Sequence, residues 1–314
     1  MSVVNNGGSI DDAWRLIVRN NPFPAVTGRV CPHPCESACN RGYLDEALSI
    51  NSLERFIGDY GIENGLAFAV PEKKKKEKVA VVGAGPSGMS CAYHLAAMGY
   101  PVTVFEAGGR PGGMLSHAIP RYRLPQAIID AEIQRITDMG VEWRYNTKIG
   151  RDIGLDRLAQ DFRAVFVAIG AQESAALNIE GEHASNVVTG LKFLRDISEG
   201  KKVSPGRKVV VVGGGNTAVD AARAARRLGS EVTIIYRRTQ SEMPAYPPEV
   251  EEAGREGVKI EFLCAPVRVA LNGSNKAVSV VCTRMRLGET DASGRPKPVP
   301  VSSSEFSLDL DSLI

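Results

Sequence analysis

The sequence predicts an α/β fold with two βαβ units of the Rossmann type, preceded by a small helical region that carries cysteines. Three observations predict it. KVAVVGAGPSG at 78–88 lies over KVVVVGGGNTA at 208–218, and GYPVTVFE at 99–106 lies over GSEVTIIY at 229–236, every pair separated by 130 positions without a gap. A repeat that keeps strand, turn, helix length and second strand in register is much stronger evidence than a lone glycine motif. Val79 to Val82 is a short, wholly apolar run, as expected of a parallel strand covered on both faces. Residues 1–70 instead read as helices around a loop rich in proline and cysteine.

Taken in order, region 1–70 is expected to hold helices over Asp11–Asn20 and Ser49–Gly61. Ser9 and Asp11 precede the first apolar run, and Ser52 with Arg55 and Phe56 opens the second. The hydrophilic stretch 71–78 reads as a linker. Residues 79–170 form the first dinucleotide unit, with further strands at Val141–Tyr145 and Ala164–Ile169, the latter ending in Gly170 and returning to the first sheet. Residues 171–314 form the second unit, with strands at Val258–Leu263, Ala277–Met285 and Phe306–Leu310 between turns rich in Gly, Asn and Pro.

Composition narrows the function classes. At roughly 100–200 residues per domain, the length allows two domains and a small extra module. The formal net charge is only +2, and the basic run Lys73–Lys76 sits between Glu72 and Glu77, so it reads as a solvated linker and not as a nucleic-acid or lipid patch. No apolar stretch approaches the roughly 18 residues of a membrane helix, and Met1–Asp12 lacks the basic-then-apolar order of a signal peptide. A cytoplasmic location follows as the expectation.

Gly83, Gly85 and Gly88 fit G-x-G-x-x-G after a strand and before a helix, the context the motif requires. Gly83 permits the turn, Gly85 lets backbone approach a pyrophosphate, and Gly88 lets helix and strand pack closely. Phosphates would sit at the helix N-terminus, where N–H groups lack intrahelical partners. Glu106 ends the second strand, where a carboxylate accepts hydrogen bonds from a ribose and repels a 2′-phosphate, so this site is expected to take FAD or NAD. Gly112 and Gly113 add a second close-approach point, and Arg123 is placed to meet a phosphate.

The second turn repeats the pattern with Gly213, Gly215 and Ala218. The residue matching Glu106 is Tyr236, and Arg237 and Arg238 follow it. Loss of the carboxylate removes repulsion, while guanidinium groups offer charge-assisted donors to a phosphate, so this site is expected to prefer NADP(H). Two unlike nucleotide sites point to hydride transfer from NADPH to a flavin, with no side-chain nucleophile.

Cys31, Cys35 and Cys39 lie in CPHPCESAC, where Pro32 and Pro34 exclude a regular helix across the first interval. Clustered thiolates suit a soft metal or an iron-sulfur cluster, yet both usually need four ligands. Zinc completed by His33 and free thiols packed in a loop are the alternatives. Cys91, Cys264 and Cys282 sit in apolar helix or strand patterns and read as core.

GRVCPHPCESAC, SINSLERFIGDY, VVGAGPSG, IPRYRLP, VAIGA, GGGNTAVDAAR and YRRTQSEMPA, in that order, resemble the glutamate synthase small (β) subunit family and, more broadly, the N-terminal half of dihydropyrimidine dehydrogenase. The resemblance covers nearly the whole chain. It implies an FAD domain with an inserted NADPH domain, preceded by a helical iron-sulfur domain. Gly83, Gly85, Gly88, Glu106, Gly113, Leu115 and Arg123 then fall at FAD positions, with Pro86, Ser87 and Gly170 beside them. Gly213, Gly215, Asn216, Thr217, Arg237 and Arg238 fall at NADPH positions, with Ala218 in the same turn. Cys31 and Cys35 would serve one cluster with Glu54 as an unusual ligand, and Cys39 the other.

Two departures matter. No cysteine-rich segment like the family's is read before residue 31 in this sequence, and Asp311 to Ile314 are read as lying within what resembles the last strand of the NADPH domain, ahead of the family's Gly-Asp flavin motif. The chain is therefore expected to be a fragment with an incomplete cluster ligand set. The implied function is an NADPH-oxidising diaphorase module that reduces FAD and passes electrons through iron-sulfur centres to a partner such as the glutamate synthase large subunit. The rivals are the electron-input subunit of another redox complex and a non-catalytic nucleotide-binding docking module. A disulfide reductase would need a Cys-x-x-Cys pair, which the sequence lacks.

Overall fold

The computed structural model describes residues 6–290 and 294–314. The chain separates into two compact units, Met1–Gln172 and Glu173–Ile314.

In the first unit, α1 (Ile10–Val18) starts at a capping box in which Ser9 and Asp12 exchange side-chain and backbone hydrogen bonds. The segment expected to be a loop then forms a helix, α2 (Pro24–Val30). After a short turn of helix, α3 (Pro34–Ser37), comes α4 (Ile50–Glu63), whose N-cap is Ser49, so Ser52 lies in its first turn and not at its start. Helices α2 and α4 cross with almost no side-chain layer between them. A Cβ on Gly58 would overlap the backbone of Pro24 and Ala25, and one on Gly28 would overlap the backbone of Arg55. The helical region does not stand alone: Trp14 stacks on Phe68 at 5.7 Å, Phe68 meets Tyr93 edge-on at 4.7 Å, and the Tyr93 hydroxyl donates to the Val18 carbonyl at 2.7 Å.

Tyr93 belongs to the first βαβ unit. Its strands are β1 (Val79–Val82), β2 (Val102–Phe105), β3 (Glu142–Arg144) and β4 (Ala164–Val167), arranged in the parallel order β3-β2-β1-β4. Helices α5 (Pro86–Ala97), α6 (Met114–His117), α7 (Gln126–Asp138) and α8 (Leu155–Asp161) connect them. Every residue of β1 and β2 is buried, as a parallel strand covered on both faces requires. The stretch 71–78 forms no helix or strand, but it docks through Lys75, whose ammonium lies 3.9 Å from the Tyr100 ring centroid.

In the second unit, a parallel sheet β12-β5-β6-β7 is built from β5 (Lys208–Val212), β6 (Glu231–Tyr236), β7 (Lys259–Phe262) and β12 (Ser312–Leu313). Helices α9 (Gly190–Ser198), α10 (Asn216–Arg227) and α11 (Pro247–Arg255) accompany it. The expected strand Val258–Leu263 stops at Phe262, because Leu263 turns into the left-handed region at φ 53° and starts a second, antiparallel sheet. That sheet comprises β8 (Cys264–Leu271), β9 (Ala277–Thr290), β10 (Pro296–Pro300) and β11 (Phe306–Asp309). Cys264 and Cys282 are buried in it, Cys91 is half-buried in α5, and burial pushes the Cys282 thiol up to about 12. One Asp311 carboxylate oxygen accepts the N–H of Arg207 at 2.7 Å and of Lys208 at 2.9 Å, fixing β12 beside β5.

Two outcomes are expected. Gly58→Ala should lower the urea midpoint of the chain by the equivalent of roughly 1–3 kcal/mol, since the overlap with Ala25 outweighs the helix propensity gained; a raised midpoint would contradict the close crossing. The Lys208 N–H bond holds the Asp311 carboxyl below its usual range. Its folded pKa lies below the unfolded one, so its contribution is present above about pH 4 and is lost as pH falls through the folded value. Asp311→Asn should therefore flatten the acid limb of the stability profile of this chain, measured by denaturant midpoints between neutral and acid pH.

Candidate nucleotide loops and the cysteine segment

The first loop leaves the end of β1 and reaches α5 through Gly83, Ala84 and Gly85. Gly83 takes φ +104°, where a Cβ would strike the Ala168 carbonyl, and Gly85 is the N-cap of α5. Pro86 occupies the first helical position and has no N–H to leave unpaired, Ser87 is exposed, and Gly88 is buried with its Cα against the Gly83 carbonyl. The Gly112–Gly113 segment folds back over this turn: Gly112 donates to the Ala84 carbonyl at 2.8 Å, and a Cβ on Gly113 would lie 2.7 Å from the Gly85 Cα. Two side-chain-free stretches thus face one another at a helix N-terminus, a form that fits an extended pyrophosphate.

Glu106 lies beside them, half-buried. One carboxylate oxygen accepts the Ala84 N–H at 2.8 Å and the other accepts the Gly108 N–H at 2.7 Å. An ionised carboxylate has about four lone-pair sites, so acceptor capacity remains for ribose hydroxyls. Leu115 is buried at the start of α6, Arg123 is half-buried and donates its backbone N–H to the Pro120 carbonyl at 3.0 Å, and Gly170 lies just beyond β4 at φ +66°.

Sequence reasoning passed over Arg110 and Arg121. Both guanidiniums donate to the Ser116 carbonyl, at 2.7 and 2.5 Å, and burial followed by the charge of Arg110 lowers the Arg121 pKa. Two cations converging on one carbonyl next to Gly113 make this side of the loop favourable to an anion. Their positions four and fifteen residues beyond Glu106 carry no motif spacing that would have identified them.

The second loop leaves β5 through Gly213 at φ +130°, and Gly215 is the N-cap of α10. Asn216 and Thr217 are exposed in the first turn, and Ala218 stands half-buried in the place of Gly88. A lid of local structure holds this loop. Tyr236 is buried with its ring against Gly214, where a Cβ would overlap it, and its hydroxyl donates to the Glu242 carbonyl at 2.7 Å. Thr239 and Glu242 form a capping box, Ala245 donates to the Gly214 carbonyl at 3.0 Å, and the Tyr246 N–H donates to the Asn216 side chain at 2.9 Å. Hydrogen bonds from Thr239 and Ser241 pull the Glu242 carboxyl below its usual range.

The paired arginines have different surroundings. Arg237 is exposed at the end of β6, whereas Arg238 is only 3% exposed and donates from Nε to the Pro296 carbonyl at 2.8 Å. Arg237 is thus the member of the pair that presents its charge to solvent beside the loop.

The cysteine segment starts where α2 ends. Cys31 is the C-cap of α2 and accepts the His33 N–H at 3.4 Å. The His33 ring contacts the Cys31 carbonyl at 3.1 Å and the Glu36 carboxylate at 3.5 Å. Cys35 is exposed, and Cys39 is half-buried with its thiol pulled below the usual range by the backbone N–H groups of Leu48, Arg41 and Gly42. Glu54 accepts from Asn21 at 2.5 Å. Among the described residues, no three His, Cys, Asp or Glu side chains converge as a metal site. The thiolate chemistry suits iron-sulfur ligation, with Cys31, Cys35 and Cys39 as the thiolates this segment would supply.

Residues 72–292 match the family described as pyridine nucleotide-disulphide oxidoreductase, and residues 3–66 match dihydropyrimidine dehydrogenase domain II, 4Fe-4S cluster. The chain is 46% identical over 311 residues to the NADPH-Fe(3+) oxidoreductase subunit beta of Geobacter sulfurreducens, covering 97% of this chain and 46% of that protein. It is 36% identical over 326 residues to the glutamate synthase [NADPH] small chain of Escherichia coli, covering 98% of this chain and 69% of that one. Among solved structures, FprA of Mycobacterium tuberculosis in complex with NADPH shares the fold, with a TM-score of 0.64 at 19% identity over 76% of this chain and 70% of FprA. The chain thus spans about half the length of the Geobacter relative. Among the described residues, no helix is long and apolar enough to cross a membrane. Two unlike glycine loops on parallel sheets, with a helical region ahead of them, agree with these matches: the chain belongs to the pyridine nucleotide-disulphide oxidoreductase family, as a relative of the glutamate synthase small chain.

Proposed function

We propose that this chain is the NADPH-oxidising module of a larger redox enzyme, taking a hydride from NADPH and delivering electrons to a redox partner subunit. The observation that carries this reading is the contrast between the two loops. Glu106 offers a carboxylate beside the first, and Arg237 offers an exposed guanidinium beside the second. Bound FAD would supply the hydride-accepting ring and the ability to release electrons singly. The protein's share is placement. In the first unit the N–H groups of Ser87 and Gly88 would face the pyrophosphate, Glu106 would accept from the ribose, and Arg110, Arg121 and Arg123 would balance negative charge. In the second, Asn216 and Thr217 would meet the NADPH pyrophosphate, with Ala218 giving the helix room, and Arg237 would hold the 2′-phosphate while Arg238 secures the strand end.

The names of the Geobacter and E. coli relatives, each a subunit of an NADPH-linked enzyme, support a partner subunit as the destination of the electrons. A partner of the glutamate synthase large-subunit type fits this reading; the final acceptor is set by that partner, not by the loops. Arg237→Ala should weaken NADPH binding about ten- to a hundredfold, the worth of one or two charge-assisted hydrogen bonds, and leave NADH binding unchanged. Fluorescence titration of both coenzymes checks this, and equal losses would contradict the assignment. In the whole enzyme, anaerobic addition of NADPH should bleach the flavin absorbance; a flavin that stays oxidised would contradict the reading.

A further inference from the structure

Helix α7 carries a buried ion pair that the nucleotide loops do not use. Glu132 is 1% exposed and Arg135 is 8% exposed, and the Arg135 guanidinium donates to one Glu132 oxygen at 2.7 Å. The second oxygen accepts the backbone N–H of Ala25 in α2, at 3.0 Å and 107 positions away in sequence. Burial pushes the Glu132 carboxyl up to about 7, with Arg135 pulling it back, so the pair is an expensive feature to keep inside the unit. The other charge felt there is Asp59 of α4, which itself holds Arg29 of α2 in a two-pronged pair at 2.7 and 3.0 Å. Arg135 also lies over the Trp14 ring, 5.1 Å from its centroid, and so touches α1.

Packing alone does not explain this arrangement. An apolar pair of similar volume would fill the space at lower desolvation cost. What it would not do is accept the Ala25 N–H, which the close approach of Gly58 shields from water. The tethered helix ends at Cys31, so the contact fixes where the cysteine segment leaves the first nucleotide unit. We propose that Glu132 is a positioning residue: its carboxylate tethers the backbone of α2 to α7 and thereby sets the placement of the Cys31 segment relative to the first nucleotide loop. The inference rests on the proposed function only for its purpose, since an electron-carrying segment needs a fixed distance from the flavin.

The test compares two charge-free double variants of the chain. Glu132→Gln with Arg135→Met keeps an acceptor for Ala25 and removes both charges; Glu132→Leu with Arg135→Met removes the acceptor as well. Amide hydrogen exchange over Pro24–Val30 and the alkylation rate of Cys31 are read in both, with exposed Cys35 as internal control. The expected result is a roughly tenfold loss of protection at Pro24–Val30 and faster Cys31 alkylation in the Leu variant, with the Gln variant close to the parent chain. If the two variants behave alike, both protected, both exposed or both unfolded, the tether is overturned and only packing or charge remains. Neither readout uses a nucleotide, so a failure of NADPH to reduce the flavin would leave this result standing.

Discussion

A parallel strand that becomes a helix within three residues must turn through backbone angles that favour glycine, and both candidate nucleotide loops meet that constraint in the same way. Gly83 and Gly213 take backbone angles that other residues rarely adopt, and Gly85 and Gly215 then serve as N-caps without side-chain capping bonds. The first-turn N–H groups of α5 and α10 consequently remain available at the ends of β1 and β5. Because neighbouring strands run in register, the same geometry brings Glu106, one residue past β2, and Tyr236, the last residue of β6, beside those groups. The chemistry of each loop is thereby set by one or two residues at a strand end.

Those residues also organise their own loops. Glu106 accepts from Ala84 and Gly108, so the carboxylate proposed to meet a ribose also braces the turn. Tyr236 performs the bracing in the second unit by other means, with its ring on Gly214 and its hydroxyl on the Glu242 carbonyl. A neutral aromatic residue in that position supports the loop without placing a negative charge where an additional phosphate would sit. In the proposed reading, the neighbouring exposed Arg237 would then act where the strand end supplies no carboxylate.

Much of this was legible in the sequence because the relevant signals are local. The repeat from Lys78 to Glu106 and from Lys208 to Tyr236 contains strand, turn, helix and strand in one stretch, and Ser9 caps α1 through a residue three positions away. What was not legible depends on distant partners. Helix α2 contains Val26, Thr27, Gly28 and Val30, all poor or middling helix formers, and exists because Gly58 and Glu132 receive it. Strand β8 carries Pro266, which by itself argues against a strand; the register shifts at that point, a bulge that accommodates it. The burial of Arg238 follows from the Pro296 carbonyl, contributed by a separate strand. The spacing of Cys31, Cys35 and Cys39 announced thiolate chemistry, yet it could not indicate whether the three side chains meet.

The contrast between the loops is tested most directly by nuclear magnetic resonance titration of the isotopically labelled chain with adenosine 2′,5′-bisphosphate and, separately, with ADP. The account predicts that the 2′-phosphorylated ligand shifts the amides of Gly213 to Thr217 and the side chain of Arg237, while ADP shifts those of Gly83 to Gly88. It would be contradicted if the 2′-phosphorylated ligand settled instead beside Glu106, or if both ligands perturbed the two loops to the same extent.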